Sequence, residues 1–144
     1  MQDKNYILLY ANKKIEDTLC IRNMFENNKE IHIGWTTTDN TNNMKIIDQY
    51  IQNGTKQLIF LGIEIGWKEL ILNLKSIYDN IKIKVICTTM DSLLYYEYER
   101  NNFFDMLELS KKGYIDQIAF LRKGQFEMYS KLGYKCVYLL ENYI

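Results

Sequence analysis

The sequence predicts an α/β domain: a parallel sheet of about six strands with helices on both faces, in a three-layer, Rossmann-like arrangement. Three observations carry that expectation. Short β-branched and aliphatic runs recur along the chain, and most are apolar at consecutive positions, as strands buried on both faces are. Segments with helical spacing separate them. The seven glycines fall at the boundaries between the two kinds of segment, where positive φ or a close backbone approach is needed.

In chain order the strand runs are Tyr6–Ala11, Ile31–Trp35, Gln57–Leu61, Ile81–Thr88, Gln117–Phe120 and Cys136–Leu140. Ile15–Asn27 reads as helix from its length and context. Met44, Ile47, Tyr50 and Ile51 form an amphipathic stripe after the capping residues Asp39, Asn40 and Thr41. Trp67, Leu70, Ile71, Leu74, Ile77 and Tyr78 repeat at the spacing of one helix face. Phe126, Tyr129 and Leu132 make a shorter third stripe. Asp91 to Lys112 is too long for one short helix, and the polar stretch from Glu97 to Asn102 suggests a break in its middle, so two helices are expected there. Gly54, Gly113 and Gly133 each follow a helical stripe and precede a strand, the place of a C-terminal helix cap. Strand and helix in alternation imply right-handed crossovers, and the order expected is 3-2-1-4-5 with a sixth strand beyond the fifth.

The chain has 144 residues, 47% of them hydrophobic, and residues 1–144 read as a single domain. Eighteen Lys and Arg balance eighteen Asp and Glu, so no overall field draws the chain to nucleic acid. Cys20, Cys87 and Cys136 lie far apart and form no metal-ligand or disulfide pattern. No metal and no cofactor is expected, and a reducing, cytoplasmic setting is. The polar N-terminus leads into an apolar run of strand length, which is neither a signal peptide nor a membrane span.

Ligands of open parallel sheets bind beyond the carboxyl ends of the strands. The first such loop, Ala11-Asn12-Lys13-Lys14, lacks the GxGxxG dinucleotide fingerprint. The third strand ends in Gly62-Ile63-Glu64-Ile65-Gly66-Trp67, which sets a carboxylate and an indole between two glycines. Glu64 and Trp67 are candidate ligand-binding residues; the alternative is a tight turn with Trp67 as the first core residue of the next helix. Asp91 and Ser92 follow the fourth strand, Asp91 as a candidate general base and Ser92 as a ligand contact, or either as an N-cap. Arg122 and Lys123 follow the fifth strand, where they would meet an anion or remain surface charge. His32 lies within the second strand with no partner at ligand spacing and reads as structural, and Cys87 in an apolar strand reads as inert.

From Gly66 to Tyr143 the chain resembles the N-terminal half of a GT-B-type bacterial glycosyltransferase of the family 4 or group 1 kind. The resemblance lies in the order of elements and in several phrases: Trp67-Lys68-Glu69-Leu70, Lys82 to Cys87, Phe103 to Gly113, and Ile115 to Phe120, then Tyr129 and Leu132-Gly133-Tyr134-Lys135. Leu139 to Ile144 fits the point at which such chains cross to a second domain. The first half of the chain matches by topology alone, and the family's glycine-rich loop after the first strand is absent. The resemblance implies the acceptor-side half of an enzyme that moves a sugar from a nucleotide sugar to a cell-surface glycan or similar acceptor in polysaccharide biosynthesis. It also implies that the donor-binding C-terminal half is absent from this chain, so that the isolated domain is inactive. Such an enzyme would work in the cytoplasm, with room for peripheral contact at the inner face of the membrane.

A signalling module competes with this reading. Gln57 to Gly66, the following amphipathic helix and Lys82–Thr88 are similar to a response-regulator receiver domain. Gly62 stands where the phosphorylated aspartate would be, and Tyr10-Ala11-Asn12 where the magnesium-binding acids would follow the first strand. The chain would then be a receiver that cannot be phosphorylated.

Overall fold

The computed structural model describes residues 6–11, 30–33, 40–87 and 97–139. Six strands form one sheet: β1 Tyr6–Ala11, β2 Glu30–Ile33, β3 Gln57–Leu61, β4 Lys82–Cys87, β5 Gln117–Phe120 and β6 Cys136–Tyr138. Four helices are described: α1 Asn40–Gln52, α2 Trp67–Ile77, α3 Glu97–Lys111 and α4 Lys123–Lys131. Every pairing among the described strands is parallel. The fold is α/β and Rossmann-like, as the consecutive apolar runs predict.

The strand order corrects the expected one. It is β2-β1-β3-β4-β5-β6, the doubly wound order of flavodoxin type, in which a single strand lies on the far side of β1. Both orders are built from right-handed crossovers, so local sequence patterns favour neither. The steps from β2 to β3, β3 to β4, β4 to β5 and β5 to β6 all run in one direction across the sheet, and right-handedness therefore sends their helices to one face. All four described helices pack there, over Ile7, Leu9, Leu58, Phe60, Ile83, Val85, Ile118 and Phe120. The opposite face, formed by Tyr6, Leu8, Ile59, Leu61, Ile86 and Ala119, is buried as well. Burial on both sides requires protein over each, which makes three layers.

Local chemistry explains the elements. Leu58 and Phe60 point to the helices while Ile59 and Leu61 point away, the two-residue alternation of a strand wanted apolar on both faces. α2 buries Trp67, Leu70, Ile71 and Leu74, each worth about 1.5–3 kcal/mol against exposure. Gly113 at φ 84° and Gly133 at φ 94° end α3 and α4, where a residue with a side chain is strained. α3 runs unbroken from Glu97 to Lys111, so the break expected at Glu97–Asn102 does not occur. Asn101 is exposed and Asn102 half-buried, so neither must bury an unmatched amide, and helix formation costs them only intrinsic propensity. The helix expected before it, and the one expected at Ile15–Asn27, lie outside the described residues.

Candidate functional site

An all-parallel sheet puts the carboxyl ends of its strands on one edge, and the loops after β3 and β5 leave that edge on either side of β4. At about 4.8 Å per strand, the two loops emerge about 10 Å apart. Glu64 and Trp67 follow β3, and Arg122 and Lys123 follow β5, so the topology brings these four residues to the same edge. Asp91 and Ser92 lie outside the described residues.

At the end of β3 the amide of Gly62 donates to the Ile86 carbonyl at 2.8 Å, extending the ladder with β4. Gly62 then takes φ 82°, and the chain folds back so that its carbonyl accepts the indole N–H of Trp67 at 2.8 Å. The Trp67 ring meets Phe60 edge-on at 5.0 Å and is 2% exposed. The two glycines thus serve a strand-to-helix turn, and Trp67 is a core residue whose single polar atom is matched. It offers no open ring to a sugar, which corrects its reading as a ligand contact: the turn holds the indole under the loop. Glu64 is buried in the same turn, and its carbonyl accepts the Trp67 amide at 3.2 Å.

The β5 loop differs. Arg122 and Lys123 are both exposed, Arg122 in extended conformation as the N-cap residue of α4, with no side-chain cap. Exposed cations therefore stand at this edge, whereas Glu64, at 6% exposure, is turned in with Trp67 and does not present a ligand contact, which corrects its expected role as well. That arrangement suits an anionic or hydroxyl-rich ligand approaching from beyond the strand ends.

Among the described residues no cluster of His, Cys, Asp and Glu would hold a metal ion. Cys87 is buried, and Cys136 is half-buried with its thiol pushed up by burial, a shift eased by a hydrogen bond with Ser130. Both are poor nucleophiles. His32 sits in β2, opposite Tyr10 in register. The Tyr129 hydroxyl is also pushed up, first by burial; its ring stacks on Phe120 at 5.2 Å and meets Phe103 edge-on at 5.4 Å. These aromatics join α3, α4 and β5.

A depression of ≈ 590 Å³ lies at the opposite, amino-terminal edge, lined by Ile51, Thr55, Lys56, Ile77, Tyr78 and residues 79–82. Sequence reasoning missed it because its residues come from two separate turns, before β3 and before β4, that only the β3–β4 register juxtaposes, as in the bond from the Lys82 amide to the Lys56 carbonyl at 3.0 Å. No described helix is long and apolar enough to cross a membrane.

No family model matches the chain, and neither does any curated protein or solved structure.

Proposed function

We propose that this domain is the acceptor-side half of a bacterial glycosyltransferase, receiving a glycan or similar acceptor at the carboxyl edge of its sheet. The observation that supports this reading is the last βαβ unit. β5, α4 and the turn at Gly133 lead to a sixth parallel strand that pairs Ile118 with Cys136, Ala119 with Val137 and Phe120 with Tyr138. This is the stretch whose phrasing resembles the glycosyltransferase half, and it exceeds the five strands of a receiver. In this reading Arg122 and Lys123 contact the acceptor, and Asp91 is the base that takes the proton from the attacking hydroxyl. The donor nucleotide sugar is held by a second domain, in the cytoplasm or at the inner membrane face.

Proton–nitrogen spectra of the purified chain test this. Acidic oligosaccharides are expected to shift the amides of 62–66 and 121–123, and Arg122→Ala with Lys123→Ala to abolish those shifts. UDP-, GDP- and TDP-sugars are expected to release no nucleotide above a boiled control, because catalysis needs both reactants held together. Nucleotide release, or shifts confined to other regions, would remove the proposal.

The strand order favours one second reading. Its first five strands, 2-1-3-4-5, follow the order that receivers share. With Gly62 at the end of β3, such a module would act by protein contact alone. Acetyl phosphate with magnesium is then expected to add no mass, and a gain of one phosphoryl group would show a working receiver instead.

A further inference from the structure

The end of α1 joins a chemically reactive dipeptide to a closed backbone turn. Of the seven glycines only Gly54 follows an asparagine. A glycine leaves its own nitrogen unshielded by a side chain, so that nitrogen can attack the side-chain amide carbon of an asparagine before it. Asn53 is exposed, so solvent reaches its amide.

The same residues cap the helix. The Thr55 amide donates to the Tyr50 carbonyl at 3.0 Å and the Gly54 amide to the Ile51 carbonyl at 3.0 Å. With Gly54 at φ 106°, these are the paired bonds of a Schellman motif. The Asn53 amide donates to the Gln49 and Tyr50 carbonyls at 3.1 and 3.2 Å. The proton that must leave the attacking nitrogen is therefore held against Ile51, and the turn must open before Gly54 can swing toward the Asn53 side chain. The chain beyond the turn is tied down. Thr55 is 5% exposed, the Lys82 amide donates to the Lys56 carbonyl at 3.0 Å, and β3 follows at once, wholly buried and paired with both β1 and β4.

We propose that Asn53 is a self-modification site, held in check by the closed turn, whose product loosens the entry to β3. When the turn opens, solvent base takes the Gly54 amide proton and the nitrogen bonds to Asn53 Cγ. The Cγ–Nδ2 bond breaks, and the nitrogen leaves as ammonia. Water then opens the resulting cyclic imide at either carbonyl, giving aspartate or isoaspartate. Both products place a carboxylate at the C-terminal end of α1, where the helix dipole is already negative. Isoaspartate also routes the main chain through the side chain and lengthens it by one methylene, which the bonds from Thr55 to Tyr50 and from Lys82 to Lys56 do not accommodate. The site is independent of what the carboxyl edge of the sheet receives.

The test follows the purified chain in oxygen-labelled water at mildly alkaline pH, in buffer and in urea, by peptide mapping. In urea Asn53 is expected to be the first asparagine to convert, gaining one labelled oxygen. In buffer the conversion is expected to be slower by about tenfold or more, the fraction of time the helix end spends open. Urea below the unfolding transition is expected to raise the native rate in step with hydrogen exchange of the Gly54 and Thr55 amides. The isoaspartyl form, separated by chromatography, is expected to melt below Asn53→Asp, which carries the charge without the extra methylene. Asn53→Gln, at an exposed position, is expected to remove both the conversion and the fall in melting temperature on ageing, because its longer side chain closes a ring slowly. Conversion as fast in buffer as in urea, another asparagine converting first in urea, or an isoaspartyl form that melts with Asn53→Asp would each overturn the proposal.

Discussion

β3 and α2 differ sharply from α4 and β6, although both pairs are built from the same strand-and-helix unit. All five residues of β3 are buried, and α2 adds four more. α4 buries none of its residues fully, and all three residues of β6 are half-exposed. The inner pair has a strand on each side and a sheet face packed on both surfaces. The outer pair has one neighbour, β5, and leaves Met128 at 48% and Leu132 at 63% exposure. Stability is therefore concentrated at the centre, and the β6 end opens at lower free energy. Equal local patterns thus yield unequal burial once position in the sheet is set.

The largest effect is expected from truncation at the centre. Phe60→Ala removes a fully buried ring in contact with Trp67 and should cost about 3–5 kcal/mol in urea unfolding. Leu132→Ala should change stability by less than about 0.5 kcal/mol. Equal costs at the two positions would show that stability is not concentrated at β3 and α2.

Trp67→Phe comes next. It keeps most of the apolar volume but leaves the Gly62 carbonyl without its donor, and a loss of about 1–3 kcal/mol is expected. If Trp67 served a ligand instead of the core, stability would hardly move.

Gly113→Ala and Gly133→Ala sharpen the contrast, because a Cβ at either position meets nothing within 4 Å while φ is +84° and +94°. The penalty is backbone strain alone, about 1–2 kcal/mol. At Gly133 it should appear mainly as faster hydrogen exchange in β6, and at Gly113 as a lower global melting temperature.

The smallest effect is electrostatic. Lys112 donates to Glu108 at 2.8 Å across one turn of α3. That hydrogen bond holds the Glu108 carboxyl below its ordinary range and the Lys112 ammonium above its own. Glu108 thus adds stability that is full above the ordinary glutamate range and is lost as pH falls through its lowered folded value. Lys112 adds stability that is full below the ordinary lysine range and is lost as pH rises through its raised folded value. The melting temperatures of Glu108→Gln and the parent should differ slightly near neutrality and converge in acid. A gap that widens in acid would reverse the sign.

Much of the candidate site was legible only in part. The placement of Glu64, Arg122 and Lys123 at one edge follows from parallel strands alone, since strand ends align whatever the order. The fate of Trp67 did not follow, because Gly-x-x-x-Gly-Trp is compatible with an indole turned to solvent or tucked beneath its own loop. Only the φ of Gly62 and the Gly62 carbonyl position select the second. The depression at the amino-terminal edge left no sequence signal, because its two turns are about 25 residues apart and meet through strand register.

By itself, the sequence determined the elements: Gln57–Leu61 and Gln117–Phe120 as buried strands, Trp67–Ile77 as an amphipathic helix, and Gly54, Gly113 and Gly133 as helix ends at positive φ. Those properties are local, set by side-chain periodicity and by the backbone freedom of single residues. Only the tertiary structure decided that β3 pairs with β1 instead of leaving that place to β4. It alone also sent all four described helices to one face and left the β6 end half-buried. Those outcomes depend on which strands find each other across long loops. Apolar runs that are alike on both faces encode burial without naming a neighbour.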